Sequence, residues 1–340
     1  MSIKPNLSNK NNQAFYSKCM LSFSGCTPLI RLNSFSDLVG TNVFAKLEFS
    51  NPTLSAKDRI ASHIISKALE SGELSIGGTV VDATSGNTGM ALAHISRIMG
   101  FNCVLTVADK ASQEKINSLK ALGAEVVLCP AEVAPDDSRS YYKKAIEISE
   151  SIEGAYYTDQ NFNPNNKDAH YQTTGPEIWD QMDGDVNYFV ATVGTGGTIS
   201  GTARFLKEND DNINVVGVDA YGSVLKKYHE TGIYDISIAH PYKMEGVGKS
   251  IIPGNVDFDF IDRFVKVGDL KSALRARNLA KKDGIWGGHS SGAALEAVFQ
   301  MKNEFKPSDK VVVIFSDHGS KYLSTIYNDA WVEEKLYSKV

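Results

Sequence analysis

Long hydrophobic runs, strong net charge and an apolar amino terminus are all absent from this sequence. No apolar run among the 340 residues approaches the ~20 needed to span a bilayer. The formal net charge of −5 gives no reason to expect nucleic acid or a membrane surface as a partner. Residues 1–15 are rich in Asn, Lys and Ser and resemble no secretory signal. We therefore predict a flexible arm there and a cytoplasmic protein.

Metal-ligand motifs are also absent. Cys19, Cys26, Cys103 and Cys129 form no CxxC pair, and the seven histidines form no HExxH or similar cluster. The sequence therefore predicts no metal site, and the cysteines are interpreted as reduced thiols of a cytosolic protein.

Strand-like and helix-like stretches alternate along most of the chain, whose length exceeds that of a usual single domain. Apolar, β-branched segments such as 79–84, 125–129, 187–193 and 310–315 are separated by stretches with helical spacing of apolar residues. This alternation predicts parallel sheets with helices on both faces. In such folds, ligands bind at the loops that leave the carboxyl ends of the strands.

A lysine occupies the first turn of one predicted helix. In the segment NPTLSAKDRIASHII (51–65), Ser55 is a good N-cap and the helix should begin near Ala56. The positive end of the helix dipole disfavours Lys57 there by up to about 1 kcal/mol. Two interpretations are open. The side chain is simply solvated, or its amine has a lowered pKa and takes part in Schiff-base chemistry.

Glycine-rich loops follow two of the predicted strands. They read TSGNTG (84–89) and GTGGT (194–198), and each opens a helix. Such a turn presents backbone N–H groups and a positive dipole end to an anion. Each loop taken alone is equally explained as a tight turn or a helix cap.

The second loop departs from both common nucleotide-binding signatures. The dinucleotide pattern GxGxxG fails at Ile199, and the P-loop pattern fails at Thr202, where it requires lysine. Asp219, however, ends the following strand about where a ribose-binding acid would lie. A nicotinamide-dependent oxidoreductase therefore stays open as an alternative.

Two anion sites and one activated lysine together meet the requirements of pyridoxal phosphate (PLP). That cofactor needs a lysine for an imine, a cradle for its phosphate and a partner for its ring nitrogen. The segment GIWGGHSSGAALEA (284–297) supplies Ser290 and Ser291 before another helix. Simple N-capping explains these serines when they are considered alone.

Taken in order, these motifs resemble those of the fold-type II PLP enzymes, specifically the cysteine synthase and cystathionine β-synthase family. The resemblance runs from GCTPLIRL (25–32) to GSKYLSTIYND (319–329). It implies an α/β, tryptophan synthase β-like fold of two domains, with mostly parallel sheets and flanking helices. A smaller mobile domain (46–160) and a larger one (16–45 and 161–340) would hold PLP in the cleft between them.

The resemblance also implies a role for each motif. Lys57 would form the Schiff base and act as the catalytic base, Asn87 would face the ring hydroxyl, and Ser290 would face the ring nitrogen. The phosphate cradle would be Gly194, Thr195, Gly196, Gly197 and Thr198. The substrate carboxylate would be held by Thr84, Ser85, Gly86, Asn87, Thr88 and Gln160.

The reaction implied is a β-replacement on L-serine or an O-activated serine through an aminoacrylate intermediate. Tyr171 in HYQTT, and Glu245 and Gly246 in YKMEGVGKSIIP, favour the cystathionine β-synthase branch, in which serine and homocysteine give cystathionine. These residues would lie near the entrance for the second substrate. The interpretation that Tyr171 merely packs and Glu245 is a surface charge stays open.

Other activities fit the same residues. They are a cysteine synthase (O-acetylserine and sulfide), a diaminopropionate-type synthase (O-phosphoserine and an amine), and an enzyme that forms hydrogen sulfide and lanthionine or a related thioether from cysteine. A catalytically silent scaffold of the same fold is the alternative of a different class. The resemblance further implies small-molecule amino-acid substrates and a homodimer. Because the sequence stops at Val340, we expect a cystathionine β-synthase-like core without regulatory domains.

Overall fold

The computed structural model describes residues 20–134 and 136–337, and the predicted arm (1–15) lies outside them. No helix in these two ranges is long and apolar enough to cross a membrane. The strands described are β1 (Leu29–Arg31), β2 (Asn42–Leu47), β3 (Thr79–Ala83), β4 (Asn102–Ala108), β5 (Glu125–Cys129), β6 (Tyr156–Tyr157), β7 (Tyr188–Thr192), β8 (Asn214–Ala220), β9 (Arg263–Val267) and β10 (Lys310–Phe315). The helices described are α1 (Asn33–Val39), α2 (Lys57–Ser71), α3 (Asn87–Met99), α4 (Gln113–Ala121), α5 (Tyr141–Ser151), α6 (Asn165–Gln172), α7 (Thr174–Gln181), α8 (Gly197–Asn209), α9 (Leu225–Thr231), α10 (Asp269–Asp283), α11 (His289–Gln300) and α12 (Asp329–Lys335).

These strands form two sheets. The larger has the order β1-β2-β10-β7-β8-β9, and its pairs are parallel except for β1 with β2. The smaller has the order β5-β4-β3-β6 and is parallel throughout. The predicted α/β class with mostly parallel sheets is confirmed.

The chain divides into two compact units, one for each sheet. The first unit contains the described residues up to Cys26, Asn51–Thr53 and Lys57–Gln160. The second contains Thr27–Ser50, Leu54–Ala56 and the chain from Asn161 onward. The predicted movement of a smaller domain spanning 46–160 stays a prediction.

Each unit has its own apolar core. In the first, Ile65 of α2 and Leu105 of β4 are fully buried in one cluster. In the second, the larger sheet is covered on both faces. Val313 of β10 belongs to a cluster with Val298 of α11, whereas its neighbour Val312 belongs to a cluster with Leu206 of α8. Successive residues of a strand point to opposite faces, so the continuous apolar run of β10 reflects burial on both sides.

Helix α6 packs closely against α8 because two glycines leave room for it. A Cβ atom on Gly197 would lie 1.9 Å from Asn166 Oδ1, and one on Gly201 would lie 2.0 Å from the carbonyl oxygen of Lys167. Both distances are far below van der Waals contact. Gly197 and Gly201 are one turn apart, on one face of α8. Their lack of side chains brings the start of α8 against Asn166 and His170 of α6.

We expect Gly201→Ala to destabilise the protein by about 1–3 kcal/mol, because the added methyl meets backbone that cannot move independently of α6. Chemical denaturation followed by circular dichroism measures the effect. Gly268→Ala is the control: φ at Gly268 is −101°, and an added Cβ would lie 3.7 Å from its nearest neighbour. Equal unfolding midpoints for the two variants would contradict the close helix contact.

Candidate functional site

Lys57 is the first residue of α2, one residue later than predicted, and its side chain is half-buried. The next residue, Asp58, is buried and accepts two hydrogen bonds from Thr53 through Oδ2. One comes from the backbone N–H at 3.0 Å and the other from the hydroxyl at 2.8 Å. These bonds join the turn before the helix to its first residues and so fix the backbone that carries Lys57.

The residues just before Lys57 pair with the segment that follows β10. The Ala56 N–H donates to the Ser316 carbonyl at 2.8 Å, and the His318 N–H donates to the Leu54 carbonyl at 3.3 Å. Ser55, predicted as an N-cap, is fully buried in this antiparallel pairing. Leu54 has φ +60°, in the left-handed region that a bulky side chain seldom adopts. The paired backbone therefore holds an unfavourable conformation immediately before the lysine.

The same segment pairs on its other side with the turn that precedes Ser290. The Gly288 N–H donates to the Asp317 carbonyl at 2.9 Å, and Gly287 forms an antiparallel bridge with His318. Ser290 then lies in the first turn of α11, only 4% exposed. Residues 316–318 thus lie between the backbone that leads to Lys57 and the backbone that leads to Ser290.

The TSGNTG loop joins β3 to α3, and Gln160 lies beside it. The Gly86 N–H donates to Thr84 Oγ1 at 3.2 Å, and the Thr88 hydroxyl donates to Gln160 Oε1 at 2.6 Å. Strand β6 pairs with β3 and carries the chain to this position. The structure therefore brings Gln160 together with a loop 72 residues away in sequence.

The start of α3 favours a negatively charged ligand. Its N-cap, Gly86, offers no side-chain cap, and its first turn contains no acidic residue. Thr84 and Thr88 are buried, whereas Ser85 and Asn87 are half-buried. The first N–H groups of a helix have no partner within the helix, and together with the dipole they favour an anion such as a carboxylate.

The GTGGT loop joins β7 to α8, and its glycines are closely packed. A Cβ on Gly194 would lie 2.6 Å from the Gly246 carbonyl oxygen, and one on Gly196 would lie 2.4 Å from Val256 Cγ2. Gly196 also has φ +92°, a conformation that favours glycine. The first turn of α8 contains no acidic residue. This loop therefore combines close backbone approach with a helix start suited to a phosphate.

Helix α6 supports the two threonines of this loop. Asn166 Nδ2 donates to Thr195 Oγ1 at 3.1 Å, and His170 Nε2 lies 3.1 Å from Thr198 Oγ1. The other ring nitrogen of His170 lies 2.8 Å from Thr174 Oγ1. Asn166 and His170 are fully buried. Sequence reasoning missed both, although the recurrence of polar residues every four positions from Asn166 to Thr174 was available as a signal.

Tyr171 is not brought together with these residues. Its hydroxyl donates to Glu208 at 2.7 Å, and the guanidinium of Arg204 lies 4.7 Å from the centre of its ring. Arg204 in turn forms an ion pair with Glu208 on the exposed side of α8. Tyr171 therefore belongs to a surface cluster of side chains, and its predicted role near the second substrate stays a prediction.

Glu245 and Gly246 lie in an irregular segment between α9 and β9, and both are exposed. The Gly246 carbonyl packs against Gly194, as described above. Burial lowers the pKa of His289, while a hydrogen bond and the charge from Asp269, and then the charge of Glu245, oppose that shift. Glu245 therefore acts electrostatically on the residue next to Ser290.

Asp219 does not have the position of a ribose-binding acid. It is fully buried and accepts hydrogen bonds from the backbone N–H groups of Ala220 at 2.9 Å and Lys226 at 3.0 Å. Burial raises its pKa. Its carboxylate holds the start of α9, which removes the feature that supported a nicotinamide cofactor. Across 20–134 and 136–337, no three His, Cys, Asp or Glu side chains are grouped to hold a metal ion.

The residues present fit pyridoxal phosphate. A cradle of glycines that a Cβ would fill, at a helix start without acidic residues, suits the phosphate. Lys57 supplies a half-buried amine, and Ser290 a buried, uncharged hydroxyl of the kind that accompanies a neutral ring nitrogen.

Comparisons with known proteins agree with this assignment. The profile of the family described as "Pyridoxal-phosphate dependent enzyme" matches residues 21–317. Cystathionine β-synthase of Dictyostelium discoideum is 38% identical over 308 residues, which cover 91% of this chain and 61% of that protein. Cysteine synthase of Staphylococcus aureus is 39% identical over 303 residues, which cover 88% of this chain and 94% of that protein. The chain thus spans less than two thirds of the first relative's length.

Solved structures give the same result. A hydrogen sulfide-producing enzyme from Fusobacterium nucleatum superposes with a TM-score of 0.83 at 32% identity, covering 91% of this chain and 98% of that one. O-ureido-L-serine synthase superposes with a TM-score of 0.84 at 28% identity, and the match covers 94% of this chain and 99% of that one. Since the family profile matches most of the chain and a relative of nearly equal extent is 39% identical, this protein belongs to the pyridoxal-phosphate dependent enzyme family, with that compound as its cofactor.

Proposed function

We propose that the protein catalyses β-replacement on L-serine, in the manner of cystathionine β-synthase: serine and homocysteine give cystathionine and water. One observation carries the proposal. Helices α3, α8 and α11 each begin at a glycine N-cap with no acidic residue in the first turn. The residues expected to bind substrate carboxylate, cofactor phosphate and cofactor ring lie on or next to those three turns. The homodimer and the cytoplasmic location stay predictions.

Bound PLP supplies an electron sink for negative charge that develops at the substrate Cα. Lys57 attaches the cofactor and, once displaced by substrate, removes the Cα proton and later returns it. The N–H groups of the TSGNTG loop and the hydroxyls of Thr84 and Ser85 bind the substrate carboxylate. The Thr88 hydroxyl donates to Gln160 Oε1 and so positions the Gln160 side chain beside this loop, which supports a role for Gln160 in holding the same carboxylate.

Ser290 influences which reaction follows. A serine hydroxyl, unlike a carboxylate, does not stabilise a proton on the ring nitrogen. The ring then withdraws charge from Cα less strongly. This favours departure of the β-substituent over transamination.

Glu245 supports the choice of serine as donor. The hydroxyl of serine leaves poorly and requires a proton. Glu245 is the acidic residue expected near the second-substrate entrance, where a carboxylate can assist proton transfer. A specific observation favours a second candidate, a cysteine synthase that uses O-acetylserine and sulfide. The cysteine synthase of Staphylococcus aureus is 39% identical, and this chain matches 94% of its length. The chain matches only 61% of the length of the cystathionine β-synthase of Dictyostelium discoideum.

The absorption spectrum of the purified protein tests both candidates. We expect a visible band from cofactor bound covalently to Lys57, and Lys57→Ala to lack it, because the substitution removes the amine assigned to that bond. L-Serine should change the band, and homocysteine should then restore it with release of cystathionine, identified by mass spectrometry. A band that responds only to O-acetylserine would establish the second candidate. No band after incubation with PLP would overturn the proposal as a whole.

Thr88→Val tests the carboxylate site. It removes the hydroxyl that positions Gln160, so we expect KM for serine to rise about tenfold while the visible band is unchanged. Steady-state kinetics measure the effect. Thr79→Val is the matched control, because Thr79 is equally buried in the same unit but begins β3, at the opposite end of the strand from the loop. A similar rise in KM for both variants would argue against a specific role of Thr88.

Two conservative changes separate the residues assigned to the second substrate. Glu245→Gln should lower turnover with serine about tenfold or more, because the carboxylate that assists proton transfer near the second substrate is lost. Tyr171→Phe should leave turnover within about twofold, because its hydroxyl serves a surface ion pair worth little. Both variants are compared at saturating serine and homocysteine. Full activity in Glu245→Gln would remove the support for a serine-specific donor site.

A further inference from the structure

The hydroxyls of Thr195 and Thr198 each have a single proton to donate. A hydroxyl that donates this proton to a protein neighbour cannot donate it to an anion as well. One that accepts a hydrogen bond from its neighbour keeps its proton available. The neighbours therefore decide whether the cradle hydroxyls attract a phosphate or merely line the loop.

We propose that Asn166 and His170 are positioning residues that make Thr195 and Thr198 donors to the cofactor phosphate. Asn166 Nδ2 is a donor only, so at 3.1 Å it fixes Thr195 Oγ1 as the acceptor. His170 Nδ1 lies 2.8 Å from Thr174 Oγ1, and Nε2 lies 3.1 Å from Thr198 Oγ1. In the tautomer that we assign, the ring proton is on Nε2, so that Nδ1 accepts from the Thr174 hydroxyl and Nε2–H donates to Thr198 Oγ1. Both threonine protons are left to the anion.

Three features of the fold support this arrangement. Asn166 and His170 are one turn apart and so project from one face of α6. Gly197 and Gly201 allow that face to approach the start of α8, as described above. Asn166 and His170 are fully buried, so water does not compete for the threonine hydroxyls from that side.

The inference rests on the proposed function, because the anion is taken to be the phosphate of PLP. His170→Leu removes the donor to Thr198, whereas His170→Gln keeps an N–H donor at a similar distance along the side chain. Dissociation constants for PLP are measured by fluorescence titration of the apoenzyme. Pyridoxal, which lacks the phosphate, is the control ligand. Inorganic phosphate, as a competitor of PLP, reports on the cradle alone.

We expect His170→Leu to weaken binding of PLP and of inorganic phosphate about tenfold, and His170→Gln to weaken them less than about threefold. Binding of pyridoxal should not change. In a Thr198→Val background, His170→Leu should raise the dissociation constant for PLP less than about twofold, because the hydroxyl through which His170 acts is already absent. Two results would overturn the inference. One is that the effects of His170→Leu and Thr198→Val on PLP affinity add in the double variant. The other is that His170→Leu weakens binding of PLP and of pyridoxal equally.

Asn166→Asp provides a second test that does not depend on how well His170→Leu folds. The carboxylate would accept the Thr195 proton and place negative charge behind the cradle, so PLP should bind more than about tenfold more weakly. Circular dichroism establishes that the variant is folded. Unchanged affinity for PLP in folded Asn166→Asp would contradict the role of Asn166. Failure of the wild-type protein to bind PLP would instead overturn the proposed function.

Discussion

The close contact of α6 with α8 is the constraint on which the candidate cradle depends. At Gly197 and Gly201 even one methyl group would overlap α6, so the two helices approach to backbone contact. This approach allows the short side chain of Asn166 to reach Thr195. A helix pair at ordinary separation, with larger residues at the contact, would leave a gap there for water. Gly197 and Gly201 thus allow side chains of α6 to contact the loop on one side, and the lack of side chains in the loop leaves room for a ligand on the other.

A second constraint concerns how helices begin. Helices α4, α5 and α12 start with Ser112, Ser140 and Asn328, whose side chains accept from the first turn. At α3, α8 and α11 a glycine takes that place and makes no such bond. Glycine at the N-cap costs roughly a few tenths of a kcal/mol relative to a good side-chain cap. If α3 and α8 bind anions as proposed, the bound anion offsets that cost, and we expect both helices to be more stable with ligand than without it.

Sequence reasoning located the elements and residues that have a recognisable local sequence pattern. Strands β5 and β10 have the bounds that their apolar runs predict, and the glycine loops and Lys57 lie at helix starts. Helix α6 was not predicted from the sequence. The side chains on its buried face, Asn166 and His170, are polar, so the helix has no hydrophobic periodicity that would reveal it. Tyr171, which follows His170 and was assigned from the family resemblance, lies in a surface cluster. Residues that act through tertiary contact leave no local pattern.

We expect reaction chemistry and substrate choice to depend on different parts of this chain. Lys57, Ser290 and the two glycine loops lie at the starts of regular helices, positioned by main-chain pairing and buried side chains. Glu245 lies in an irregular, exposed segment, where sequence can change at little cost to the fold. Relatives named for two different reactions accordingly match this chain almost equally, at 38% and 39% identity. Overall similarity therefore does not distinguish between the donors, and we expect that choice to depend on a few side chains around the helix starts.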